Sequence, residues 1–260
     1  DADNGLQGIA SCLPKDKLRI FMINISREGG GFVTSSMLAF QYEIQNGSSI
    51  ISCSMGKTDE VDPGAAEMYD EFFTKLANNT TFDSVLFIFS AGNEGKAPKG
   101  EERIPNGLPT NKSLSNVITV GNILNDGNIS AGQLIKAGTD QEEASKSNKA
   151  GRDYEVTLAA PGEQSVWGLY NNKIQNYLGG TSMATPHVTA AAALMRSIDP
   201  CLTAGDIKAI LIKTARNKTG DTPAPQDLGG RILAIDEALN ETIRHRSPRY
   251  CTPFLNGESI

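Results

Sequence analysis

Five consecutive apolar residues, Val85-Leu86-Phe87-Ile88-Phe89, run without a polar break and end in the glycine turn Ser90-Ala91-Gly92-Asn93-Glu94-Gly95. A strand with one wet face alternates apolar and polar residues. A strand that is apolar at every position needs cover on both faces, which is the setting of a parallel sheet inside an α/β protein. A second run, Leu18-Arg19-Ile20-Phe21-Met22-Ile23, reads as another strand. Longer segments with helical spacing alternate with such runs at 33–44, 65–76, 182–198 and 204–214. Thr203, ahead of Asp206 and Ile207, gives the last of them a capping-box-like start. The expectation is a doubly wound α/β fold, with a mostly parallel sheet and helices on both faces. A chain of 260 residues suffices for one large domain of this kind, and no shift of composition marks a second.

The segment Gly179-Gly180-Thr181-Ser182-Met183-Ala184-Thr185-Pro186-His187 leads into an alanine-rich run through Leu194. Two glycines permit a sharp turn and a close approach of backbone to ligand. Ser182 then stands where a helix N-cap is expected, at the positive end of the helix. Pro186, placed in the first turn, costs little, because N–H groups there have no intrahelical partner. The small side chains of Ala184 and Ala190 to Ala193 let this helix pack closely. Taken alone, such a serine reads as an ordinary cap. The glycine turn after residue 89 adds Asn93, whose amide can donate to an oxyanion without bringing a proton or a charge. Taken alone, Asn93 reads as a turn residue tolerant of a left-handed backbone. Both in one chain argue against coincidence.

At these residues the chain resembles the subtilisin-like serine proteases. The block 180–187 is similar to the family's nucleophile segment, and Ala91-Gly92-Asn93-Glu94-Gly95 to its oxyanion-asparagine segment. Weaker likenesses occur in the family's order. Ile50-Ile51-Ser52-Cys53-Ser54-Met55-Gly56 resembles the strand that edges the substrate cleft, and 117–121, 158–162 and 229–233 resemble later strands and the return toward the C-terminus. The likeness runs from about Gly5 to Asn240. It implies peptide-bond hydrolysis through an acyl-enzyme on Ser182, with Asn93 and the Ser182 backbone N–H as oxyanion hole. It implies a substrate peptide lying extended between residues 29–32, which include Gly30 and Gly31, and Ser54, Met55 and Gly56. Ser90, Ala91 and Gly92 then line part of the pocket for the residue before the scissile bond. Residues 1–243 are the peptidase domain on this reading, and 244–260 a tail. Calcium is common in the family, but no aspartate cluster here is spaced like a dedicated loop, so no metal site is assigned and no cofactor is expected.

The family carries its triad aspartate and histidine ahead of the asparagine, on an early strand and an early helix with a His-Gly-Thr-His-type motif. These 260 residues hold no such segment, and residues 1–10 resemble the stretch directly after that helix. A serine hydroxyl is a poor nucleophile without a base in hydrogen-bond reach. Of the two histidines, His187 lies five residues along the same helix, which at about 100° per residue turns it away from Ser182, and it reads as packing. His245, in Arg244-His245-Arg246, reads as a solvated tail residue. Lys96 reads as a surface cation, and Asp1 and Asp3 as solvated terminal acids, since a carboxylate orients a histidine but cannot replace it. The expectation is a serine endopeptidase whose Asp and His come from a missing or separate N-terminal segment. The alternative is a catalytically inactive relative serving as a peptide-binding or scaffold domain.

A formal net charge of −6 argues against nucleic acid and anionic membranes as partners, and leaves a peptide or protein substrate. No apolar stretch reaches bilayer length. Cys12, Cys53, Cys201 and Cys251 lack metal-ligand spacing. Cys53 reads as a buried thiol, while Cys201 and Cys251, in loop-like surroundings, are candidates for a disulfide. Sequons at Asn78, Asn79, Asn111, Asn128, Asn217 and Asn240 permit glycosylation, and a secreted or extracytoplasmic setting is expected. Residues 137–152, of mixed charge and little apolar content, read as a mobile surface insertion.

Overall fold

A computed structural model of the chain describes residues 8–14, 16–25, 32–55, 63–78, 85–95, 114–123, 147–148, 150, 155–162, 168–170, 173–175, 180–219, 222–224 and 229–246. Its centre is a sheet of β1 (Ile50–Cys53), β2 (Leu86–Ser90), β3 (Val117–Ile123) and β4 (Leu158–Pro161). The spatial order is β1-β2-β3-β4 and every neighbouring pair is parallel. Spatial order matches chain order, so the sheet grows in one direction by successive crossovers. β2 is buried at every position, as its unbroken apolar run demands. Two small antiparallel pairs lie apart from it, β5 (Gly168–Tyr170) with β6 (Lys173–Gln175) and β7 (Lys218–Thr219) with β8 (Thr222–Pro223).

Helices α1 (Phe32–Gln45) and α2 (Pro63–Asn78) cover one face, and α3 (Thr181–Ile198), α4 (Ala204–Thr214) and α5 (Ile235–His245) belong to the other. The strand period of two divides the apolar residues of β2 between the faces. Phe87 and Phe89 join Ile51 and Cys53 of β1 under Phe40 of α1 and Tyr69 and Phe73 of α2. The rings meet edge to face, Phe73 with Phe87 at 5.0 Å and Phe40 with Phe87 at 5.5 Å. Leu86 and Ile88 turn the opposite way, toward Ala184, Val188, Ala191, Ala192 and Met195 of α3. Alanines at three of those positions allow the helix backbone to lie close on the sheet. Tyr69 buries its hydroxyl against that of Ser36, and burial pushes the phenol up to about 12 while the hydrogen bond opposes the shift.

Several expectations hold in detail. The capping box at Thr203 is present, with Asp206 N–H donating to Thr203 Oγ1 at 3.1 Å and Thr203 N–H donating back to Asp206 at 3.0 Å. Cys53 is a buried free thiol whose burial raises its pKa, and Cys12 is free and exposed. Cys201 is in a disulfide, while Cys251 lies outside the described residues.

Two expectations fail. Residues 18–23 form no strand, and Ile20 and Met22 are 76% and 93% exposed. An apolar run becomes a strand only where a neighbour supplies hydrogen bonds and cover, and this one joins no ladder. His245 is not a tail residue but the last residue of α5, where Nε2 lies 3.0 Å from Glu241 Oε1. Lys213 also bonds that carboxylate, and with Arg244 and His245 nearby its pKa is lowered, the Lys213 hydrogen bond first among the causes. Basic residues are favoured at a helix C-terminus by the macrodipole, which a reading of Arg244-His245-Arg246 as a tail leaves out.

Candidate active site

The start of α3 differs from the expected geometry in two ways. Gly180, not Ser182, is the N-cap, and Ser182 is the second residue of the helix. Gly180 has φ +123°, a conformation costly to residues with a Cβ. A Cβ there would also lie 2.9 Å from Asn93 Nδ2, so glycine is what lets the Asn93 turn touch the helix start. Pro186 is the sixth helical residue, beyond the first turn. Its missing N–H would have bonded the carbonyl of Ser182. That carbonyl accepts instead from Ser54 Oγ at 3.1 Å. Reciprocally, Ser182 Oγ donates to the Ser54 carbonyl at 3.1 Å. The carboxyl end of β1 is thereby tied to the helix start by two bonds, both involving Ser182.

Asn93 is held from the same helix. Its Oδ1 accepts from the Thr181 N–H at 2.9 Å and from the Thr181 hydroxyl at 3.0 Å. Thr181 Oγ1 in turn accepts from the Gly92 N–H at 3.0 Å. With Oδ1 taken up by two donors, the N–H₂ end is what Asn93 has to offer a ligand. Thr181 is fully buried and sits between the Asn93 turn and Ser182. It stands in the middle of the Gly-Thr-Ser triplet, yet nothing in the neighbouring sequence marks it as a positioning residue.

Ser147 and Asn148 overturn part of the expectation for residues 137–152. Both are buried. The Asn148 N–H donates to the Gly92 carbonyl at 2.8 Å, and its Nδ2 donates to the Ala91 carbonyl at 3.0 Å and to Glu94. Ser147 Oγ accepts from the Asn122 N–H at 3.0 Å. Buried polar side chains need such partners. The charged residues around them hid this anchor in the sequence.

The structure brings Ser54, Asn93, Thr181 and Ser182 together, with Ser90, Ala91 and Gly92 buried behind them and Met55 exposed at the end of β1. Gly30, Gly31, Gly56, Lys96, Asp1 and Asp3 lie outside the described residues. Neither histidine bonds Ser182. His187 Nδ1 donates to the Met183 carbonyl at 2.9 Å within α3, and burial lowers its pKa against the opposing pull of that bond. His245 is engaged with Glu241. The Ser182 hydroxyl faces a carbonyl, which does not accept a proton at neutral pH. Among the described residues no group of three or more metal-ligating side chains comes together, and no helix is long and apolar enough to cross a membrane.

Residues 7–230 match the subtilase family. The major intracellular serine protease of Bacillus subtilis (strain 168) is 29% identical over 199 residues, 76% of this chain and 52% of that protein. The intracellular serine protease of Paenibacillus polymyxa is 31% identical over 243 residues, 92% of this chain and 64% of that protein. The chain therefore spans between about half and two thirds of the length of these relatives. Both are named intracellular, so the expected secreted setting is not one these two relatives share. A solved structure of the subtilase cytotoxin SubAB assembly has a similar fold, with TM-score 0.64 and 23% identity over 83% of this chain and 67% of that chain.

Proposed function

The chain belongs to the subtilase family, and from that membership we propose that it is the nucleophile-bearing part of a serine endopeptidase. Ser182 Oγ attacks the scissile carbonyl carbon. The carbonyl π pair moves to oxygen, where the Asn93 N–H₂ and the Ser182 backbone N–H stabilise it. Ser182 is the second residue of α3, so its N–H has no intrahelical acceptor and is available for this task. Collapse of the adduct expels the amine and leaves an acyl-enzyme, which water then hydrolyses. The substrate peptide lies along Ser54, Met55 and Gly56 on one side and Gly30 and Gly31 on the other. Ser90, Ala91 and Gly92 face the side chain before the cleaved bond. The observation that carries this reading is the bonding of Asn93 Oδ1 by Thr181, next to Ser182.

The proton of Ser182 Oγ must go to a base, and both histidines of the chain are engaged elsewhere. The base is therefore a histidine oriented by an aspartate, brought by an N-terminal piece outside these 260 residues. A second reading, a silent peptide-binding relative, draws support from the Ser182 hydroxyl bonding a carbonyl rather than an imidazole. A fluorophosphonate probe separates the two. Rapid labelling of the natural gene product at Ser182, abolished in Ser182→Ala, is the expected outcome. Lasting silence of the wild-type product, with its N-terminal piece present, sinks the peptidase reading in favour of the second.

A further inference from the structure

The carbonyls in the first turns of α3 are served from two sources. Those of Thr181, Met183 and Thr185 accept from side chains of the helix itself, Thr185 Oγ1 at 2.8 Å, His187 Nδ1 at 2.9 Å and Thr189 Oγ1 at 3.1 Å. The carbonyl of Ser182 accepts from outside the helix, from the hydroxyl of Ser54 just past the end of β1. Pro186 supplies both halves of the reason. It has no N–H to give the carbonyl four residues back, and a proline ring inside a helix presses on that same carbonyl and turns it away from the helix axis. Pro186 is itself exposed, so its ring is not there to fill the core.

We propose that the Ser54 side chain is a positioning residue for Ser182, and that it acts through the carbonyl that Pro186 sets free, so that the two residues work as a pair. A carbonyl held at 3.1 Å by the strand end fixes the ψ of Ser182, and with it the bearing of the Cα–Cβ bond that carries Oγ. With any other residue at 186 the helix would hold that carbonyl along its own axis, and the nucleophile would take its bearing from α3 alone. With proline it takes its bearing from the end of β1. That strand end carries the substrate backbone in the peptidase reading above, on which this inference rests for its catalytic consequence. The separation of Oγ from the scissile carbonyl is then set by the strand that holds the peptide. The Ser54 carbonyl, which accepts from Ser182 Oγ, is main chain and is kept in every Ser54 variant.

A double-mutant cycle in the natural gene product tests the pair. Ser54→Ala leaves the Ser182 carbonyl without its donor and should lower kcat on a peptide substrate roughly tenfold, with KM changed less than about twofold. Pro186→Ala gives residue 186 an N–H, which can take over that carbonyl. On that background Ser54→Ala should cost less than about twofold in kcat. Ser54→Thr, which keeps a hydroxyl, should stay within about threefold of the wild type. Thermal melting reads the same link without turnover. Ser54→Ala should lower Tm by about 2–4 °C in the proline chain and by under about 1 °C beside Pro186→Ala. Equal costs of Ser54→Ala on the two backgrounds overturn the pair. A lowered Tm with kcat unchanged overturns the positioning role, since a merely structural Ser54 has no reason to move turnover by the folded enzyme. A wild-type product silent to fluorophosphonate, whose Tm values still show the cycle, leaves the link standing and sinks the peptidase reading. A labelled product whose Tm values add does the reverse.

Discussion

At the scale of single residues, Thr181 decides how Asn93 is presented. Thr181→Val keeps the volume but removes the hydroxyl, so Gly92 N–H loses its acceptor and Asn93 keeps one donor of two. One lost hydrogen bond of about 1–1.5 kcal/mol lowers kcat by roughly tenfold with KM little changed. Loss of the amide itself, in Asn93→Ala, lowers kcat by about 10²–10³, a magnitude taken from subtilisin rather than from this chain. Steady-state kinetics on a peptide substrate checks both, and an unchanged kcat in Thr181→Val refutes the positioning role. His187 gives a pH signature. Its folded pKa lies below the ordinary 6.5, because burial disfavours the cation. The unfolded chain therefore binds the proton more readily, and the contribution of His187 to stability is full above pH 6.5 and is lost as pH falls through the folded value. The melting temperature should drop more steeply below that pH in the wild type than in His187→Gln. Equal slopes would show that the imidazole stays solvated. Ser182 and Asn93 were legible because each is marked locally by glycines. Thr181 and Asn93 are 88 residues apart in sequence, and no local pattern announces their bond.

At the scale of elements, four of the five described α-helices were legible and α4 (Ala204–Thr214) has the expected bounds, while α5 (Ile235–His245) was missed. A helix closes its own hydrogen bonds, so spacing and caps define it. A strand is a property of a pair, which is why 18–23 reads as one and yet is not. That α3 tolerates Pro186 was legible, but the reason was not, because the donor that serves the Ser182 carbonyl comes from Ser54, 128 residues earlier. The junction before α3 is the sensitive point of this element. Gly180→Ala must adopt φ +123° and meet Asn93 at 2.9 Å. It should destabilise by about 1–3 kcal/mol and reduce labelling of Ser182, since relief of the clash moves Asn93. Thermal unfolding together with probe kinetics tests this, and wild-type values in both would count against the assigned contact.

At the scale of the whole molecule, the sheet separates two apolar clusters, one rich in aromatic rings and one in alanine and aliphatic chains. Phe73→Ala on the first should cost about 3–5 kcal/mol and Met195→Ala on the second about 2–5 kcal/mol. Because the two side chains stand on opposite faces and share no cluster, the costs should add to within about 0.5 kcal/mol. Denaturant melts of both singles and the double should each show one transition, and two separated transitions would mean that the faces fold independently. The architecture was legible because continuous apolar runs admit few covers. Ser147 and Asn148 were not, since their neighbours in sequence carry the opposite signal. Ser54 and Ser182 clasp each other through both a hydroxyl and a carbonyl, so an alcohol parked on main-chain oxygen must first let go before it can turn toward anything else, and strand end and helix start loosen together when it does.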